Sequence, residues 1–144
     1  MTMRHRPGHF VRALYEGIAM SIRDVLGEFV AQDLALSRAL IIGGGSQSPT
    51  WRQIVADVLG IPIGLPSRTD ASVGVALLAG VGAGVFADAR SARAAAPEAQ
   101  HWYEPEASAH SRYTEAYGLY RDSARRLREI HHALSDMESR GPVS

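Results

Sequence analysis

The sequence predicts an α/β domain, helix-rich with an incomplete sheet, and three observations support that class. Apolar residues recur at helical intervals near the start, middle and end of the chain. A short apolar run, Arg38 to Ile42, stops at three glycines, as a strand buried on both faces does. A helix start follows those glycines at once, giving the strand–turn–helix order of α/β folds.

Taken in order, Val11, Leu14, Ile18, Ile22, Val25 and Phe29 recur at three and four within Gly8 to Phe29, one face of a helix. Arg12 and Glu16, four apart, can pair on the other face. Gly17 and Gly27 weaken that helix, the second near its end. After the strand and its glycines, Ser48-Pro49 places a capping hydroxyl before a proline at the first helical position. Trp51, Ile54, Val55, Val58 and Leu59 then form an apolar stripe. Gly60 ends it as a left-handed cap, and Pro62 blocks continuation. Ile61-Pro62-Ile63 is too short for more than an edge strand.

Thr69 or Asp70 can cap the next helix, Ala71 to Phe86, which is apolar nearly all round and reads as buried. Gly74, Gly80, Gly82 and Gly84 in it would let another element approach its backbone. Asp88 to Ala109 reads as a surface connection. Tyr113, Tyr117, Tyr120, Ala124, Leu127, Ile130 and Leu134 mark an amphipathic last helix, with Asp122–Arg126 and Arg125–Glu129 pairs on its wet side. Residues 1–138 read as one partial domain and 139–144 as a frayed tail. One strand and a fragment of another do not cover these helices.

The chain has 144 residues, enough for one domain. All 15 strong bases are arginine, balanced by 15 carboxylates, so the formal charge is zero. Nucleic acid and anionic membranes call for a basic excess and are not expected partners. Without Cys there is no disulfide, thiolate metal site or thiol nucleophile. Without Lys there is neither a Walker lysine nor Schiff-base chemistry. The apolar stretch between Asp70 and Asp88 falls short of a membrane span. Met1 to Arg12 is basic and lacks the apolar core of a secretory signal. The expected setting is soluble and cytoplasmic.

The turn Gly43-Gly44-Gly45-Ser46-Gln47-Ser48 is where a ligand could sit. Amides at a helix start favour an anion, and glycine lets a phosphate or an adenine ring lie against the backbone. A tight turn needing positive φ explains the same glycines equally well. Elsewhere the signals are structural. His5 and His9 are four apart, but Pro7-Gly8 between them disfavours a shared metal-binding face. His131 and His132 are adjacent and lie on different helix faces. Trp51 and the tyrosines read as packing, and Asp70 as a cap. No catalytic dyad or triad can be assembled.

The stretch I-I-G-G-G-S-Q-S-P-T-W-R-Q-I-V-A-D-V-L-G-I-P-I, Ile41 to Ile63, resembles the C-terminal domain of FGGY carbohydrate kinases. Its S-P-x-W-R-Q-I-x-A-D-V-x-G core is most similar to xylulokinases. His9-Phe10-Val11-Arg12-Ala13-Leu14-Tyr15-Glu16-Gly17 resembles the second half of the family's C-terminal signature. Thr69-Asp70-Ala71-Ser72-Val73-Gly74-Val75-Ala76 is similar to its E-x-x-A-L-G-A-A helix, with Asp for Glu and Val for Leu. Trp102-Tyr103-Glu104-Pro105 and the tyrosine-spaced last helix also look like family endings.

The resemblance implies part of an actin-like, ribonuclease-H-like ATPase fold, the C-terminal lobe of an enzyme that transfers the γ-phosphoryl of ATP to a sugar hydroxyl. It puts the nucleotide contact on Gly43, Gly44 and Gly45 and a polar adenine-side contact on Ser48. Magnesium is expected with the nucleotide, with no ligand for it identifiable in this sequence. The G-x-F-x-G-L-type opening of the signature would lie before Met1. The expectation is therefore a chain lacking the N-terminal lobe and its catalytic aspartate, with no catalytic residue of its own. It would be active only with that lobe, which could be a separately encoded polypeptide. The other reading is an inactive nucleotide-binding or interaction module. Open edges and an uncovered apolar helix would favour self-association in either case.

Overall fold

Helix α1 (Pro7–Val30) opens with proline at its first position and runs through both internal glycines. The computed structural model describes residues 6–34 and 36–139. His5 and residues 140–144, most of the expected tail, lie outside them. Strand β1 (Ala39–Leu40) leads through a 3-10 turn (Gly44–Gln47) into helix α2 (Pro49–Leu59). Strand β2 (Ile63–Pro66), helix α3 (Ser72–Gly82), helix α4 (Ala89–Ala94) and strand β3 (Ala99–Tyr103) follow. Helices α5 (Ala107–Arg126) and α6 (Arg128–Ser139) close the chain.

The sheet has three strands in the order β1-β2-β3. β1 and β2 are parallel, with Ala39 opposite Ile63, as expected for strands joined through a helix. β3 is antiparallel to β2, with Ile63 opposite Tyr103 and an irregularity at Leu65/Pro66. Two expectations are corrected here. Of the expected edge fragment Ile61–Ile63 only Ile63 lies in a strand, as the first residue of the central β2, and the expected surface connection 88–109 holds α4 and β3. Pro66 removes one donor at the last residue of β2, which leaves the ladder before it intact.

The core lies where α1 and α2 cross and rest on β2: Ala19, Met20, Ile54, Val55, Ala56, Val58 and Ile63. Helix α5 packs against α2, with Tyr113, Ala116, Tyr117 and Tyr120 set against this core. Polar links fix α1 to α5. The Tyr113 hydroxyl donates to Glu16 at 2.8 Å and accepts from Arg12 at 2.9 Å, and Tyr117 donates to Asp24 at 2.7 Å. Burial, then the Glu16 carboxylate, pushes the Tyr113 phenol above its usual range.

α1 does not bury the face its periodicity marks. Val11, Leu14, Ile18, Val25 and Phe29 are exposed, and the face inward carries Tyr15, Ala19 and Met20. α3 corrects the expectation of a buried helix. No residue of it is buried, and Leu78 is 69% exposed. It also stops at Gly82 rather than Phe86, because Gly84 turns left-handed at φ 75° and Phe86 folds back onto Gly80. The expected last helix starts earlier and breaks at Leu127. Arg126 pairs with Asp122 as expected, whereas Arg125 turns back to Asp122 instead of reaching Glu129.

Caps behave as their chemistry requires. Gly60 closes α2 at φ 71°, against the His110 ring. The expected cap at Thr69 or Asp70 is corrected: α3 starts at Ser72 with Ala71 at its cap position, and Asp70 instead accepts from the Ser72 amide at 2.8 Å, which holds its carboxyl below the ordinary value. Asp88 caps α4 through the Ser91 amide at 2.7 Å, and that hydrogen bond likewise lowers its pKa from 3.8. A depressed carboxylate stabilises above its unfolded-state pKa and loses the effect as pH falls through the folded value. The Ser91 amide resonance is therefore expected to titrate with a midpoint below pH 3.8. A midpoint at or above it would disprove the cap.

Candidate functional site

The glycine turn follows β1 and is built from inward-facing carbonyls. Gly43 takes φ 86°, a conformation that favours glycine, and its amide donates to the Thr69 carbonyl at 2.7 Å. Its own carbonyl accepts from the Ser46 amide at 3.0 Å and from the Ser46 hydroxyl at 2.6 Å. Ser46 is fully buried. Ser46 carries the first amide that reaches back into the turn, so those of Gly44 and Gly45 come before any turn carbonyl they could reach. Ser48 then caps α2, its hydroxyl accepting from the Trp51 amide at 3.3 Å. That leaves the hydroxyl proton available to another acceptor.

Beside the turn lies a cavity of about 540 Å³ lined by Tyr15, Ile18, Gly44, Gly45, Gln47, Ser48 and Trp51. Its walls are aromatic and apolar, and its floor is backbone. Tyr15 and Trp51 stand 5.3 Å apart between ring centroids, tilted by 53°. Trp51 also explains Gly45: a Cβ there would sit 3.3 Å from the indole nitrogen. A Cβ on Gly43 or Gly44 would meet nothing within 4 Å among the described residues. Gly44 is thus open toward the space it lines. The shape suits a flat ring with a polar extension along the backbone amides.

The other members of the W-R-Q-I-x-A-D run hold this frame. Arg52 is buried, its Nη1 donating to the Ser46 carbonyl at 2.6 Å and its guanidinium lying 4.6 Å from the Tyr103 ring centroid. Among the described residues its Nε has no partner. Gln53 donates to the Glu104 carbonyl and to Asp57, both at 2.9 Å. Asp57, also buried, accepts from the Glu106 amide at the start of α5.

The structure brings Gly44, Gly45 and Ser48 to one cavity, with Gly43 anchoring the turn from below. Gln47 of the same turn joins them, as do Tyr15 and Ile18, which the sequence does not mark as site residues, and Trp51, which it marks as packing. Tyr15 and Ile18 come from a helix remote in sequence, and only the crossing of α1 over α2 supplies them. Gln47 also donates to the Thr69 hydroxyl at 3.4 Å. His9 accepts from the Arg6 amide at its own helix start. Among the described residues, no group of three or more His, Cys, Asp or Glu could hold a metal ion. No helix described is long and apolar enough to cross a membrane. A separate cleft of about 390 Å³, lined by Arg38, Leu40, Arg93, Glu98 and Trp102 among others, shares no residue with the turn's cavity.

The family model "FGGY family of carbohydrate kinases, C-terminal domain" matches residues 1–83. The xylulose kinase of Bacillus subtilis is 30% identical over 132 residues, covering 90% of this chain and 26% of that protein. The L-fuculokinase of Escherichia coli is 34% identical over 101 residues, 65% of this chain and 20% of its own length. Among solved structures, a xyloylose kinase from Brucella ovis superposes with a TM-score of 0.77 at 28% identity, over 90% of this chain and 27% of that one. The chain spans about a quarter of the length of the relatives it matches.

Proposed function

The chain belongs to the FGGY family of carbohydrate kinases as a C-terminal domain, and from that premise we propose that it forms the adenosine side of an ATP-dependent sugar kinase. The observation that carries this reading is the cavity between α1 and the glycine turn, aromatic on one side and lined by Gly44 and Gly45 on the other. A purine fits against Tyr15 and Trp51. The adjoining phosphates meet the Gly44 and Gly45 amides, and the Ser48 hydroxyl takes a polar edge. The reaction is transfer of the γ-phosphoryl of ATP to a sugar hydroxyl. Such transfers depend on positioning and charge stabilisation from both sides of the substrate. The sugar we assign is xylulose, after the Bacillus relative and the Brucella structure.

The remaining lobe of a kinase is the partner this reading requires, and it would carry the sugar, the reacting phosphate and the magnesium. The apolar side chains left exposed on α1 and α3 support it: Val11, Leu14 and Val25 on the first and Val75 and Leu78 on the second face solvent, where a partner would cover them.

Titration of the chain with ADP is the test, followed by calorimetry or by Trp51 fluorescence. Gly44→Val, which fills open space, is expected to weaken binding about tenfold or more, at least ~1.4 kcal/mol, with Tm unchanged. Absence of ADP binding, or binding indifferent to Gly44→Val, overturns the proposal. Phosphorylation of xylulose by the chain alone would overturn its dependence on a second lobe.

A further inference from the structure

Resting on the reading of the glycine turn as a nucleotide contact, we propose that Arg52 is a positioning residue of that contact. Its buried guanidinium, held between Tyr103 and the Ser46 carbonyl, keeps the turn in the shape that offers the Gly44 and Gly45 amides to a nucleoside diphosphate.

Arg52 sits in the first turn of α2 and is only 7% exposed. Arginine keeps its charge wherever it lies, so burying it is costly unless the charge is used. Among the described residues its charge meets no carboxylate at ion-pair distance. It is used on one backbone carbonyl, at 2.6 Å, and on one aromatic face. That carbonyl belongs to Ser46, whose hydroxyl in turn holds the Gly43 carbonyl. Both ends of the turn therefore have a carbonyl drawn inward, one by Arg52 directly and one through Ser46. A peptide unit whose carbonyl is held has no freedom to flip, so the amides between these anchors keep their direction.

Arg52 is absent from the cavity wall, so it acts through the turn rather than on the ligand. Tyr103 adds a second consequence. It lies in β3, across the sheet from β1, so the ring that steadies Arg52 links the turn to the far strand. An apolar residue of similar length could fill the same space, but it could not take the Ser46 carbonyl.

The test compares Arg52→Met and Arg52→Lys in the full chain. In Arg52→Met the Gly43, Ser46 and Ser48 amides, which donate to Thr69, Gly43 and Gly45, are expected to exchange with solvent about tenfold faster, while residues 54–58 of α2 keep wild-type protection. The ADP dissociation constant is expected to rise about tenfold, and Arg52→Lys, which retains a donor, to recover most of both effects. Unchanged exchange at the turn overturns the proposal. So does equal acceleration across 54–58, which would make Arg52 a general stabiliser, or failure of Lys to do better than Met. If the wild-type chain binds no ADP, the nucleotide reading falls with this proposal's ligand, while the exchange comparison still decides whether Arg52 holds the turn.

Discussion

Gly64→Val is expected to lower the unfolding free energy by about 3 kcal/mol, roughly 10 °C in Tm, measured by urea and thermal denaturation. A Cβ at Gly64 would lie 2.7 Å from the Ala99 Cβ, 2.9 Å from Leu40 Cδ2 and 2.9 Å from Trp102 Cη2. These three neighbours come from both flanking strands, so the central strand has no direction in which to yield. Opening the sheet to relieve the clash would break the pairing of β2 with β3 or with β1. A loss under about 1 kcal/mol would mean that the sheet is slack enough to absorb a side chain there.

Asp57→Ala should be nearly as severe, costing about 3 kcal/mol, because the buried carboxylate accepts two charge-assisted hydrogen bonds. The Gln53 amide and the Glu106 backbone N–H both reach its Oδ1 at 2.9 Å. Removing it strands an amide where α5 begins, on the helix that packs along α2. Asp57→Asn keeps an acceptor in place and is expected to lose only about 1 kcal/mol. Urea unfolding of the pair separates the two. Equal losses would show that charge, and not the acceptor, holds the start of α5.

Neither constraint is legible in the amino-acid order, whereas the local caps are. The Ser48-Pro49 cap and the left-handed Gly60 follow from rules acting over a few residues, and both are present. β3 was illegible because Ala99 to Tyr103 is a strand by virtue of its partner, Ile63 to Pro66, which nothing in its own residues announces. α1 was misjudged for a related reason. Periodicity tells which side chains share a face, and Val11, Leu14 and Ile18 do, but not whether anything lies across from them. At the site, the three glycines and Ser48 were visible as a local pattern, whereas Tyr15 entered through helix packing. Arg52 and Asp57 stood inside a recognisable run, yet their tasks depend on Ser46, Tyr103 and Glu106.

The bond from the Gly43 amide to the Thr69 carbonyl stitches the loop ahead of α2 to the loop ahead of α3. Thr69 is only three residues from the first turn of α3, the most openly greasy helix of the molecule. One main-chain hydrogen bond thus ties the position of Gly43 to the segment from which α3 departs, so the entry to that helix and the glycine turn share an anchor.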